Sequence, residues 1–197
     1  MKALHWAVFG LMACAQLAVP FLMIASREEI LGSGVAYKFR CGPVDPYDAF
    51  RGRYVALSFP NLQIEGWKGP SLDGSETAYA LIGVDGEGFA KFTDVTVVRP
   101  TSGDYLEVTA QGGGTADSTL WITLPFDRYY MDEFLAPAAE VAYRTQSRTE
   151  EGAHALIRVH EGTGVIEGLY FGEVPLEEFL RQEAAKAVAE VPAGWQN

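Results

Sequence analysis

The chain has 197 residues, with 26 Asp and Glu against 15 Lys and Arg for a formal charge of −11, 48 % apolar residues and two cysteines. That is about one domain's worth of chain, with ample apolar material for a core. The excess of acid argues against a nucleic-acid partner, whose affinity rests on Lys and Arg neutralising phosphates, and two cysteines cannot make a disulfide framework.

From Ala3 to Ser26 no residue is charged, and the first charges after Lys2 are Arg27, Glu28 and Glu29. As a helix at ~1.5 Å per residue, Leu4 to Ala25 measures about 33 Å, enough for the ~30 Å hydrocarbon core of a bilayer. His5 and Trp6 suit the headgroup level, Gln16 is the strongly polar residue near mid-depth, and Pro20 is tolerable in a spanning helix. Residues 1–31 therefore read as a transmembrane anchor. A cleaved signal is the weaker reading, because Met23 or Ile24 would stand at the −3 position where a small residue is needed. Leu11-Met12-Ala13-Cys14 has the form of a lipoprotein cleavage box, yet the residues after Cys14 stay apolar; lipidation there stays open. Lys2 before the segment, against Arg27, Lys38 and Arg40 after it, favours a cytoplasmic domain. Long domains nevertheless translocate largely regardless of loop charge, and the expectation is an extracytoplasmic domain on a single-pass protein. Gly32-Ser33-Gly34 reads as a short hinge after the anchor.

Period-two alternation begins at Val35 and is broken by Gly, Asp, Asn and Pro. Val35 to Arg40 reads as a strand, and Arg53 to Phe59 as another with Val55, Leu57 and Phe59 on one face. Thr77 to Val84, Asp85-Gly86-Glu87-Gly88 and Phe89 to Val98 give the strongest hairpin signal. A second hairpin runs from Tyr105–Thr109 through Gln111-Gly112-Gly113-Gly114 to Ser118–Leu124. A third would pair Glu140–Arg148 with Ala153–His160, and Val165–Phe171 would follow across Glu161-Gly162-Thr163-Gly164. Eight or nine strands without interleaved helices imply a mainly β domain over 32–174, an antiparallel sandwich or open barrel. Over 175–197 the period changes: Leu176, Phe179, Leu180, Ala184, Ala187, Val188 and Val191 fall at helical spacing behind Pro175. This C-terminal amphipathic helix either caps a sheet opening or docks a partner.

Pro43-Val44-Asp45-Pro46-Tyr47-Asp48-Ala49-Phe50-Arg51-Gly52-Arg53-Tyr54-Val55-Ala56-Leu57-Ser58-Phe59 has a clear local logic. Asp45-Pro46 and Asp48 can start turns through side-chain to backbone bonds, Gly52 is permissive, and a β-rich run follows. The segment resembles the bacterial GDYXXLXY protein family, named for a Gly-Asp-Tyr-x-x-Leu-x-Tyr motif that follows a Pro-x-Asp-Pro-x-Asp type stretch and an Arg. Gly52, Tyr54 and Leu57 match, while Arg53 stands for the family's Asp and Phe59 for its last Tyr. The resemblance continues through the N-terminal apolar helix, the aromatic Phe126–Phe134 segment and the strands ending near Gly172. It implies a membrane-anchored protein of unknown biochemical function, sometimes associated with polytopic membrane proteins. Any carboxylate role at position 53 is absent here.

Catalytic patterns are sparse. His154 and His160 lie six apart in one predicted strand, on the same face but about 20 Å apart at ~3.3 Å per residue, and read as solvated or edge-strand side chains. Cys41 reads as a buried or idle thiol. The acid pairs Asp45 with Asp48, Asp85 with Glu87, and Asp132 with Glu133 sit at turns, where solvated or capping acids are expected, against acid-base work on a sugar or calcium binding. Arg51 and Arg53 either pair with nearby acids or hold an anion. Phe126, Tyr129, Tyr130 and Phe134 lie in the densest aromatic segment outside the anchor and either fill core under a loop or expose a patch for a partner.

The expectation is therefore a single-pass protein of the bacterial cytoplasmic membrane, held by its N-terminal helix. Its domain would be a non-catalytic binding or assembly module with a membrane-protein partner, no nucleic acid and no cofactor or metal. The motif residues are Asp45, Asp48, Arg51, Gly52, Tyr54 and Leu57. The alternative is an envelope hydrolase or a sugar- or lipid-binding protein with a cleft near Asp48, Arg51 and Tyr54.

Overall fold

The computed structural model describes residues 2–44, 54–60, 62–114, 119–149 and 152–189. Helix α1 (Lys2–Ser33) carries the apolar segment, and its side chains lie outside the domain: Trp6 and Phe21 are exposed. Over Val8–Ser33 it is long and apolar enough to cross a membrane. It does not stop at the charges, because Arg27, Glu28, Glu29, Ile30 and Leu31 sustain helix for two further turns. The end is fixed by the Gly34 amide, which donates to the Ile30 carbonyl at 2.8 Å, and by the Ser33 hydroxyl, which donates to the Glu29 carbonyl at 2.7 Å. The expected hinge is thus absent: Gly32 and Ser33 are helical, and Gly34 is buried against the domain.

The strands are β1 (Val35–Cys41), β2 (Tyr54–Ala56), β3 (Gln63–Ile64), β4 (Leu72–Val84), β5 (Ala90–Thr96), β6 (Tyr105–Gly112), β7 (Leu120–Thr123), β8 (Arg128–Tyr130), β9 (Ala153–His160), β10 (Thr163–Phe171) and β11 (Val174–Pro175). All ladders are antiparallel, in sheets ordered β1-β9-β10-β11, β3-β7-β6-β4-β5 and β2-β8. Single bridges join the sheets at Lys38–Phe89, Leu106–Gly162 and Gly42–Ser58. The result is a nearly closed antiparallel barrel, mainly β, with a helix at each end of the chain. Alternation fills its interior: Leu106, Val108 and Ala110 of β6, Leu120 and Ile122 of β7, and Ala155, Ile157 and Val159 of β9 are all buried.

The first two expected hairpins form, as β4-β5 and β6-β7. The third does not. Glu140–Arg148 lies mostly in helix α2 (Ala136–Gln146), the one helix among the described residues that interrupts the strands. Pro137 pre-organises the first turn, Ala136, Ala139 and Tyr143 recur at helical spacing and are buried, and Arg144 pairs with Glu140 one turn back at 3.4 Å. The apparent alternation around Val141 and Tyr143 is the helix's buried and exposed sides sampled every second residue. β9 pairs instead with β1, from Val35–Val159 to Cys41–Ala153, and with β10, so it lies inside its sheet.

Val55 and Leu57 are buried and Phe59 half-buried, which keeps all three on the expected face although the β2 ladder ends at Ala56. Helix α3 (Leu176–Ala189) buries Leu176 and half-buries Phe179, whose ring meets Phe171 at 5.1 Å. From Arg181 to Ala187 it is exposed, so only its first half caps the barrel.

Candidate functional site

The C-terminal end of α1 is built into the barrel. Ile30 is buried, Arg27 donates from Nη1 to the Gly164 carbonyl on β10 at 3.4 Å, and Arg158 on β9 donates from Nη1 to the Gly34 carbonyl at 3.1 Å. Arg158 is itself held across the sheet by Glu167, Nε to Oε2 at 2.6 Å. A Cβ at Gly34 would lie 2.6 Å from the Ile30 carbonyl oxygen and 3.1 Å from that of Val159, so only glycine lets helix and sheet approach this closely.

Beside this junction opens a cleft of about 580 Å³ whose walls include Arg27, Glu107, Phe126, Arg128, Tyr130 and Gly164. Its floor depends on a second close approach: a Cβ at Gly164 would stand 2.6 Å from the Phe126 ring and 2.9 Å from Leu106. Phe126 in turn packs edge-on against Phe59 at 5.9 Å. One wall is strand β8, backed by β2 in a short ladder in which Tyr54 faces Tyr130 in register and their rings meet at 5.6 Å. The Arg128 guanidinium lies 5.1 Å over the Tyr54 ring, within cation-π range, and 3.4 Å from Asp127. Its affinity for the proton is raised by hydrogen bonding to Tyr130, then by the Asp127 charge, so it stays cationic.

The expected site residues divide accordingly. Tyr54 is not in the lining of the cleft but backs two residues that are, Arg128 and Tyr130, while Leu57, two positions beyond Val55, belongs to the core. Asp45, Asp48, Arg51 and Gly52 lie outside the described residues. Phe126 is half-buried; Tyr129 points away from its neighbours and donates to Glu177 Oε1 of α3 at 2.6 Å; Tyr130 and Phe134 are 67 % and 85 % exposed. Burial and the Glu177 carboxylate push the Tyr129 phenol well above its ordinary range. Arg27, Arg128, Glu107 and Gly164 were not singled out in the sequence. Arg27 carried a usable signal as the first charge beyond the apolar run. The others are brought to the cleft only by strand pairing.

Elsewhere the titratable groups serve the fold. Asp85 and Glu87 clamp Arg40 at 2.5 and 2.6 Å, and Asp85 Oδ1 accepts the Glu87 and Phe89 amides at 2.9 Å each. The Arg40 hydrogen bond, followed by the backbone donors, lowers the Asp85 carboxyl to about 2. Asp132 accepts the Phe134 amide at 2.8 Å, as a turn-capping acid does. Cys41 is buried, and desolvation pushes its thiol to about 12. His154 corrects the expectation of a solvated histidine: it is buried, stacked on Tyr170 at 5.3 Å and edge-on to Phe89 at 5.7 Å. Among the described residues no group of three or more His, Cys, Asp or Glu is placed to hold a metal ion.

A family model described as GDYXXLXY protein matches residues 16–169. The chain belongs to the GDYXXLXY protein family. The matched span begins inside α1 and ends in β10, so it takes in the helix–barrel junction and the cleft, and leaves β11 and α3 outside. It defines a GDYXXLXY domain whose function is not established. No curated protein and no solved structure matches the chain.

Proposed function

We infer that this GDYXXLXY protein is a single-pass membrane protein whose barrel is a non-catalytic binding and assembly module, an accessory to a membrane-protein complex. The supporting observation is the hinge-free junction: with Ile30 buried and Gly34 locked between Ile30 and Arg158, the barrel has a fixed attitude to the helix axis. A membrane helix continuous with a domain presents the same face of that domain to its neighbours in the bilayer, which raises the effective concentration for a membrane partner and removes orientational freedom before docking. Tyr130, in the wall of the cleft beside the junction, and Phe134, four residues on, are both largely exposed and offer apolar side chains to a partner. The membrane is the bacterial cytoplasmic membrane, with the barrel on the extracytoplasmic side.

Affinity purification of the full chain from mild detergent, followed by mass spectrometry, tests this reading. An integral membrane protein should co-purify and be lost with Phe134→Glu, a change at an exposed position that leaves folding intact. Recovery of the wild type only as a lone monomer would contradict it. A second reading, binding of a lipid or sugar, draws support from the cleft beside Tyr54, whose ring lies under Arg128 and against Tyr130.

A further inference from the structure

We propose that the cleft between the end of α1 and strands β8 and β10 holds the headgroup of a zwitterionic phospholipid taken from the bilayer that α1 crosses. The first support is depth. The uncharged run ends at Ser26, and Arg27, the next residue, is a wall of the cleft and is hydrogen-bonded to Gly164 opposite. A run of this length at ~1.5 Å per residue covers the ~30 Å hydrocarbon core, which sets Arg27 in the headgroup layer. A lipid reaches the cleft without leaving the membrane.

The second support is charge. The walls carry two guanidinium groups, Arg27 and Arg128, and two carboxylates, Glu107 and Asp127. Among the described residues, the salt bridges involve neither Arg27 nor Glu107. Guanidinium groups bind a phosphodiester through paired charge-assisted hydrogen bonds. Carboxylates, together with the exposed ring of Tyr130 in the wall, bind a cationic amine. A cleft with both signs in equal number complements a phosphate joined to an ammonium group and gives a purely anionic headgroup no net attraction. The volume, about 580 Å³, falls in the range of small-molecule sites and accommodates a headgroup while the acyl chains stay in the bilayer.

The proposal rests on α1 spanning the membrane and makes the barrel's binding role specific. Its test uses the full chain in mild non-ionic detergent, stripped of lipid and titrated with short-chain phosphatidylethanolamine, short-chain phosphatidylglycerol and inorganic phosphate, with binding read by native mass spectrometry and phosphorus NMR. Saturable binding of the phosphatidylethanolamine is expected, with the phosphatidylglycerol and inorganic phosphate each at least about tenfold weaker. Arg27→Gln with Arg128→Gln should weaken that binding by about tenfold or more. Glu107→Gln with Asp127→Asn changes only exposed side chains, so the fold survives, and it should invert the preference toward phosphatidylglycerol. Loss of fold cannot imitate an inversion. Equal binding of inorganic phosphate, a wild-type preference for phosphatidylglycerol, no saturable lipid binding, or no inversion in the acid variant would each overturn the proposal. Co-purification of a membrane partner is a separate readout, so failure of the assembly reading and failure of the lipid site are told apart.

Discussion

Arg158 on β9 donates to the carbonyl of Gly34 at 3.1 Å, across 124 residues of sequence. That bond, with the Gly34 amide on Ile30, leaves no free rotation between α1 and the barrel. The first prediction follows at Gly34. A Cβ there meets backbone oxygens, which cannot swing aside as a side chain can. Gly34→Ala should cost about 1–3 kcal/mol, as overpacking does, and lower the thermal midpoint by roughly 2–10 °C for a domain of this size. Thermal unfolding in detergent measures it. An unchanged midpoint would mean that the junction is looser than the packing around Gly34.

The motif separates into two roles. Leu57 is buried, so Leu57→Asp places an unpaired charge in the core and should abolish folding. Tyr54→Ala removes the ring that backs Arg128 and Tyr130, worth roughly 0.5–1.5 kcal/mol of aromatic pairing, and should leave the barrel folded while weakening whatever the cleft holds. Circular dichroism and proteolysis of the two variants distinguish these outcomes. A folded Leu57→Asp protein would place Leu57 outside the core.

Tyr143 is the pin of α2. Its hydroxyl donates to the Gly42 carbonyl at 2.7 Å and accepts the Ser58 amide at 3.4 Å, tying the end of β1 to the chain beyond β2. Tyr143→Phe leaves the buried Gly42 carbonyl without that donor and should cost about 1–3 kcal/mol in urea unfolding. A change below about 0.5 kcal/mol, the scatter of ordinary surface substitutions, would show that the bond does not hold the sheets together.

His154 gives the barrel a pH dependence of known sign. Burial, followed by the neighbouring Lys38 charge, lowers its pKa below the usual 6.5, while Glu173 pulls the other way; Tyr170 stacks on the ring and Phe89 meets it edge-on. The folded state therefore binds the proton less readily than the unfolded chain. Its contribution is complete above 6.5 and is lost as pH falls through the lower folded value. Wild-type stability should fall between pH 7.5 and pH 5, and His154→Phe should flatten that slope. Parallel slopes for the two proteins would assign the dependence to other groups.

The architecture was legible where one physical signal dominated. An uncharged run long enough for a bilayer pointed to α1, and glycine-rich turns between alternating segments, Asp85-Gly86-Glu87-Gly88 and Gln111-Gly112-Gly113-Gly114, pointed to β4-β5 and β6-β7. Illegible features were those decided by distant partners. Gly34 looks like a hinge residue until Val159 and Arg158 are placed against it. Val141 and Tyr143 mimic a strand because two residues of a helix, taken alone, do not reveal the period; Ala136 and Pro137 upstream do. His154 looks like an edge residue unless β1 is known to pair outside it. The motif pointed to Tyr54, which backs the cleft wall without lining it, whereas Arg128, Glu107 and Gly164 meet only because β2 pairs β8 and the chain before β10 is bridged to β6 at Gly162 and Leu106.

The most direct measurement is the depth of a spin label at Thr163→Cys, the exposed first residue of β10 beside Gly164, in the full chain with Cys14→Ser, reconstituted in phospholipid vesicles. Cys41 is buried and stays unlabelled. A barrel locked to α1 with its cleft at the headgroups predicts strong relaxation by lipid-soluble oxygen and shielding from a water-soluble nickel complex, both lost when a flexible glycine linker is inserted between Ser33 and Gly34. A label that relaxes as in bulk water before the insertion would contradict the account.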